Sequence, residues 1–346
     1  MAVCLLPFCP AFTQEAEGTS TAYAEFHLIP RFDFNPYFTP GQDGDGSSGY
    51  TFGTTSLYTL IEGAFSESLS FTISNHWVAA TYGGWDATRD LYGSTFRSNV
   101  NNWLDICTLT YEPGAWSFTV GKDSFAGGGH EYDDWDVDVV GLLAPGDKPM
   151  LISNMWYNLP SYLWGATVGY QYLTDCTVSM QVASSPFAMH PFEGGRLAIT
   201  LKDDSSWNGW HDMSSLSALQ SYDGSWNMLA TISERFETGD WTLGFDWHNI
   251  ADVDWDDDDM PSGFVYGGTY SPSVTWAPSE KYNLRVLGNI YTLVQAPGIA
   301  DFNIGTIFHY YPVENLRLHA AAGWDWGTRA LSAMVGVRWD WNFLNL

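Results

Sequence analysis

The chain has 346 residues, of which 45% are apolar and only 15% charged, and it carries 18 Trp, 19 Tyr and 20 Phe. A formal net charge of -27, from 40 Asp+Glu against 13 Lys+Arg, excludes the basic face that nucleic-acid binding requires. After the first 13 residues no uncharged apolar stretch reaches the ~20 residues of a membrane-spanning helix, so a helical membrane protein is excluded too.

The chain opens Met1-Ala2-Val3-Cys4-Leu5-Leu6-Pro7-Phe8-Cys9-Pro10-Ala11-Phe12-Thr13. Small residues at 11 and 13 suit a signal peptidase, so residues 1–13 read as a signal peptide without a basic n-region and 14–346 as one domain. Leu6, Pro7 and Phe8 do not make a lipobox before Cys9. The remaining cysteines, Cys107 and Cys176, have neither metal-ligand spacing nor the numbers for a disulfide framework.

From there, runs of strand length alternate between short turns and longer loops. Strands are expected near 20–32, 54–65, 68–79, 102–112, 115–124, 161–173, 175–185 and 195–203. The remainder fall near 213–221, 225–236, 240–251, 263–276, 281–294, 302–311, 316–326 and 329–343. That makes sixteen; fourteen or eighteen stay open because 186–225 is weakly patterned. Turn chemistry marks Glu112-Pro113-Gly114-Ala115, Glu237-Thr238-Gly239-Asp240, Ala277-Pro278-Ser279-Glu280 and Tyr311-Pro312-Val313-Glu314-Asn315. Between them lie longer acidic connections, the longest from about Phe125 to Pro160.

The last strand carries the clearest pattern. Leu331, Ala333, Val335, Val337, Trp339, Trp341 and Phe343 share one face, and Ser332, Met334, Gly336, Arg338, Asp340 and Asn342 the other. The pattern returns where Leu316, Leu318, Ala320, Ala322, Trp324 and Trp326 oppose Arg317, His319, Gly323 and Asp325. It returns again where Trp241, Leu243, Phe245 and Trp247 oppose Thr242, Gly244, Asp246 and His248. A dry core does not accept Arg317, Asp325, Arg338, Asp340 and Asp246 in mid-strand without pairing. The charged face must therefore be wet, while the other is long, apolar and belted by Trp. The expected fold is all-β: a single closed antiparallel transmembrane β-barrel with short periplasmic turns and long acidic external loops.

Val120-Gly121-Lys122-Asp123 leading into Gly127-Gly128-Gly129-His130-Glu131-Tyr132-Asp133 resembles the porins of Bacteroidota outer membranes, related to the OmpL-like and phosphate-selective barrels. Gln181-Val182-Ala183-Ser184-Ser185-Pro186-Phe187 is similar to a strand end of that family. His319-Ala320-Ala321-Ala322-Gly323-Trp324-Asp325-Trp326-Gly327 resembles its penultimate strand and Gly336-Val337-Arg338-Trp339 its terminal one. The resemblance spans roughly 20–346 and implies a sixteen-stranded outer-membrane barrel, passive diffusion of small hydrophilic solutes, no cofactor and no enzymatic activity. The chain departs from phosphate selectivity in having only four Lys: Lys122, Lys148, Lys202 and Lys281. Its last residue is Leu346, so an aromatic assembly signal would fall to Trp341 and Phe343. Expected partners are outer-membrane lipid and lipopolysaccharide, the solute, and further copies in a homotrimer.

If the Phe125–Pro160 loop folds inward, Glu131, Asp133, Asp134, Asp136 and Asp138 would face Arg235, Arg285, Arg317 and Arg338, which strand parity puts on the lumen. Opposed rings of charge select solutes by charge and dipole. The plainer expectation is a solvated outer loop, with the arginines paired to Asp325 and Asp340. Asp254, Asp256 and Asp258, within the 252–259 tract, offer oxygen ligands to Ca²⁺ but lack EF-hand spacing. His248, His309 and His319 are expected on the inner wall as neutral polar groups. No His-x-x-x-His pair points to zinc, and no Ser or Asp pairs with a His for catalysis. A structural barrel with a plugged lumen, or an outer-membrane enzyme, are the competing functions.

Overall fold

The computed structural model describes residues 22–40, 46–52, 55–78, 104–131, 142–143, 149–151, 162–187, 191–221, 223–249, 263–264, 268–292 and 299–345. Its strands are β1 (Tyr23–Thr39), β2 (Ser47–Thr51), β3 (Ser56–Ser66), β4 (Leu69–Val78), β5 (Leu104–Tyr111), β6 (Trp116–Ser124) and β7 (Leu142–Leu143). Next come β8 (Pro149–Met150), β9 (Tyr162–Leu173), β10 (Cys176–Ser184), β11 (Leu197–Trp207), β12 (Trp210–Gln220), β13 (Trp226–Thr238) and β14 (Trp241–His248). The last are β15 (Gly263–Phe264), β16 (Gly268–Ser279), β17 (Tyr282–Thr292), β18 (Ile299–Val313), β19 (Leu316–Asp325), β20 (Leu331–Trp339) and β21 (Trp341–Asn345).

The wall is a closed antiparallel barrel of sixteen strands. β20 and β21 count as one wall strand, interrupted at Asp340. Closure is made by β1, which pairs β3 on one side (Glu25↔Glu62) and β20 and β21 on the other (Arg31↔Arg338, His27↔Asn342). The sheet thus has no free edge, the condition for satisfying backbone groups in hydrocarbon. β2 folds back on the far end of β1, and β15 adds a short parallel pairing to β13. β7 and β8 pair with each other and lie against β19 and β20.

Every expected strand has a counterpart, but boundaries differ, notably at the end of β1 and through 204–212. The first wall strand does not end near 32; it runs to Thr39. The alternation continues through Pro30 and Pro36, with Asp33 and Asn35 buried inside while Phe32 stays exposed outside. The polar run 204–212 reads as a loop, but β11 and β12 continue through it to a two-residue turn. That turn is Asn208 (φ 50) and Gly209 (φ 78), the paired positive φ of a type I′ hairpin.

The outer face is what a lipid boundary needs. Val120, Leu201, Leu243, Val274, Val286 and Val335 all stand exposed along it. At the short-turn end a belt of rings packs sideways: Trp116 with Tyr170 at 4.7 Å, Trp241 with Trp276 at 6.1 Å and Tyr282 with Tyr310 at 5.1 Å. A second belt at the loop end holds Phe302, Trp324 and Trp326. Two aromatic belts flanking an apolar band make this a membrane-spanning barrel of the outer-membrane type. Cys107 and Cys176 are free.

Candidate pore lumen and its charged wall

Parity turns the polar residues of each strand inward, and register then decides which of them meet. Arg338 lies opposite Arg31 on β1 and opposite Arg317 on β19, so three guanidinium side chains occupy one row. The next row toward the loops is Asp33, Gly336 and His319. Arg31 Nη2 lies 2.6 Å from Asp33 Oδ2, and His319 Nε2 lies 2.6 Å from Asp33 Oδ1, with all three side chains at 0% exposure. The bond from β19 to β1 crosses β20, and only Gly336 leaves it room. A Cβ there would collide with both Asp33 Oδ1 and His319 Nε2.

A second charged station sits on β13 and β14. Arg235 Nη2 is 2.7 Å from Asp246 Oδ2, Ser233 Oγ donates to Asp246 Oδ1, and Arg235 Nη1 donates to the Glu234 carbonyl at 2.9 Å. Arg235 lies over Gly244, where a Cβ would crowd Ser273 Oγ and the arginine stem. Further round, Arg285 Nη2 donates to Ser273 Oγ at 3.2 Å. Toward the loops, Asn289 Nδ2 donates to Asn303 Oδ1 at 3.2 Å and Asn303 Nδ2 to Tyr291 Oη at 3.0 Å.

The segment after β6 is bound to this inner wall. Ser215 Oγ (3.0 Å) and Thr231 Oγ1 (2.7 Å) donate to the Gly127 carbonyl, and the His130 N–H donates to Ser233 Oγ at 2.8 Å. Glu131 Oε2 lies 3.5 Å from His248 Nε2, whose other ring nitrogen is 3.0 Å from Thr231 Oγ1. Phe125 anchors the start of the segment in an apolar patch of the wall made by Leu163, Ala183, Ala198, Leu219 and Leu229. At β18 the Leu151 N–H donates to Asn303 Oδ1 at 3.4 Å, and its side chain fills the space above Gly305.

Arg235, Arg285 and Arg317 are buried on the inner face, and Arg338 is half-buried beside Arg317. Glu131 is buried against the wall; Asp133, Asp134, Asp136 and Asp138 lie outside the described residues, as do Asp254, Asp256 and Asp258. Asp325 sits at the loop end, eight strand positions from Arg317, or roughly 27 Å at 3.4 Å per residue. It accepts instead from the Thr328 N–H and Oγ1, both at 2.8 Å. Asp340 meets His27 Nδ1 at 2.9 Å. Pairing of the arginine row to Asp325 is therefore excluded by distance. His319 and His248 do face inward, as expected, but each meets a carboxylate rather than standing as an isolated polar group. Sequence reasoning missed Arg31 and Asp33. The signal was present in Arg31-Phe32-Asp33-Phe34-Asn35, a further stretch of alternation past the position where the strand was expected to stop.

No family model and no curated protein matches the chain. Solved structures do. Two substituted forms of a porin from Rhodopseudomonas blastica each share 13% identity with it, cover 92% of this chain and 100% of their own, and superpose with TM-scores of 0.57 and 0.58. A loop-deleted OmpT, an outer membrane protein of Vibrio cholerae, shares 10% identity over 92% of this chain and 99% of its own, with a TM-score of 0.55. At these identities the likeness is one of fold: the chain is similar to outer-membrane porin barrels over 92% of its length.

Proposed function

We propose that the chain is an integral protein of a bacterial outer membrane and acts there as a diffusion porin for small hydrophilic solutes, without enzymatic activity or cofactor. The observation that carries this reading is the attachment of the segment from Phe125 to Glu131 to the inner wall through Ser215, Thr231, Ser233 and His248. Chain laid across a water-filled barrel narrows it, and a constriction is what separates a selective pore from a hole. In this reading Glu131, with Asp133, Asp134, Asp136 and Asp138, forms the acidic side of the eyelet. Arg235, Arg285, Arg317 and Arg338 form the basic side, and Asp325 and Asp340 mark its outer and inner mouths. The motifs quoted above support membership of the Bacteroidota OmpL-like porins. A signal peptide over 1–13, a barrel domain over 14–346, contact with lipopolysaccharide and assembly as a trimer belong to the same proposal. The known porin barrels it resembles in fold support it.

One observation favours a second reading, a plugged barrel serving as an accessory subunit. Leu151, Leu219, Leu229, Ile307 and Met334 are fully buried on the inner side, as are Arg31 and Asp33. Single-channel conductance of refolded protein in a planar bilayer, with a salt gradient across it, decides between them. Discrete stable steps are expected, with a reversal potential set by the eyelet charges. Folded protein that gives no steps overturns the porin reading in favour of the plug.

A further inference from the structure

A metal centre does not show in the spacing of the eight histidines, because spacing along the chain sees only one strand at a time. The fold brings together three residues from two strands. Glu25 and His27 are two apart on β1 and so share its inner face; Glu62 stands opposite Glu25 in the register of β3. One carboxylate oxygen from each glutamate and one ring nitrogen of His27 all lie within 4.8 Å of one another. The three residues are half-buried at the short-turn mouth, beside the closure of the barrel.

We propose that Glu25, His27 and Glu62 hold one divalent first-row transition ion, with Asp340 and Asn342 of the closing strand as its outer shell. Imidazole nitrogen with carboxylate oxygen is the donor set of Zn²⁺ and its neighbours, where Ca²⁺ and Mg²⁺ take oxygen alone. An ion about 2.1 Å from each donor puts donors roughly 3.4 Å apart, so rotamer-scale closure from the present separations completes the shell.

The outer shell is the stronger argument. A metal-binding histidine offers one nitrogen to the ion and donates its other N–H to a carboxylate, which fixes the ring and its tautomer. His27 is set up this way. Nε2 faces Glu25, 3.4 Å from Oε2, while Nδ1 is 2.9 Å from Asp340 Oδ1. Glu25 Oε2 is itself held by Asn342 Nδ2 at 3.2 Å. Three carboxylates around one imidazole concentrate negative charge that a divalent cation offsets. Because the ligands come from β1 and β3 and their supports from the strands that follow Leu331, the ion ties the two ends of the barrel together.

The test is titration of tag-free folded protein with Zn²⁺ in excess Ca²⁺, which saturates the acidic loops but not an imidazole site. One Zn²⁺ per barrel is expected. Its affinity should fall at least tenfold in Glu62→Gln and in His27→Gln, and about tenfold in Asp340→Asn. Zinc should also raise the temperature at which the folded gel band is lost, in the wild type and not in Glu62→Gln. The folded band checks each variant; should His27→Gln not fold, X-ray absorption of the zinc-loaded wild type replaces it, and one imidazole in the shell is expected. No stoichiometric binding, unchanged affinity in Glu62→Gln, or a shell without imidazole overturns the proposal.

Discussion

The two charged stations of the inner wall are built from the same parts and held differently. At β1, β20 and β19, Arg31, Asp33 and His319 close on each other through the gap at Gly336, using wall residues alone. At β13 and β14, Arg235 and Asp246 also form a pair, but the neighbouring hydroxyls reach into the lumen. Ser233 serves both Asp246 and the His130 N–H, and Thr231 serves both His248 and the Gly127 carbonyl. The first station is a clamp between distant strands. The second is a mount for the segment from Gly127 to Glu131. One carboxylate between two cationic or hydrogen-bonding partners can thus be spent on the wall or on what the wall carries.

The largest expected effect separates them directly. Asp33→Ala removes the buried carboxylate that both Arg31 and His319 meet, which costs about 3–5 kcal/mol. Asp246→Ala should cost less, because the second partner of Asp246 is the small Ser233 hydroxyl, where the second partner of Asp33 is the fully buried His319 imidazole. Urea unfolding in lipid vesicles measures both, and an equal or greater loss in Asp246→Ala would break the contrast. Next in size is Gly336→Ala. The added methyl meets two fully buried side chains and the Phe32 carbonyl, an overpacking of about 1–3 kcal/mol. Gly244→Ala meets the Ser273 hydroxyl and the Arg235 side chain but no backbone atom, so it should be the milder of the two in the same assay. The smallest effect on stability, about 1 kcal/mol, belongs to Ser215→Ala, which gives up one hydrogen bond to the Gly127 carbonyl. Thr231→Val with Ser233→Ala gives up four hydrogen bonds and should change conductance most, by releasing the segment from Phe125 to Glu131. Conductance equal to wild type would mean that this segment does not define the pore.

These contrasts also mark how far the sequence can be read. The wall was legible because a side chain two positions on returns to the same face, so Arg317, Asp246 and Arg338 declared their side before any contact was known. Asn208-Gly209 was legible in principle as a hairpin turn, but the polar residues from Asp203 to Ser206 disguised the strands that flank it. What period two cannot supply is register. Nothing in the alternation says that Arg31 stands beside Arg338, or that a glycine separates Asp33 from His319. Those depend on the stagger with which 286 positions of intervening chain are wrapped into a closed sheet. The donor cluster at Glu25, His27 and Glu62 was hidden for the same reason.

The meeting of β1 with β20 and β21 also sets an order of events. His27 and Asp340 are 313 positions apart, and nearly every pairing at that junction is as remote. Loop closure of that length is entropically unfavourable until other contacts reward it, so chains dominated by such contacts fold slowly. Until the residues after 331 arrive, β1 and β19 each expose a row of unpaired N–H and C=O groups, a template for pairing with the wrong chain. The strand that completes the barrel is thus also the one that ends its period of risk, and assembly can finish only after the last strand has been delivered.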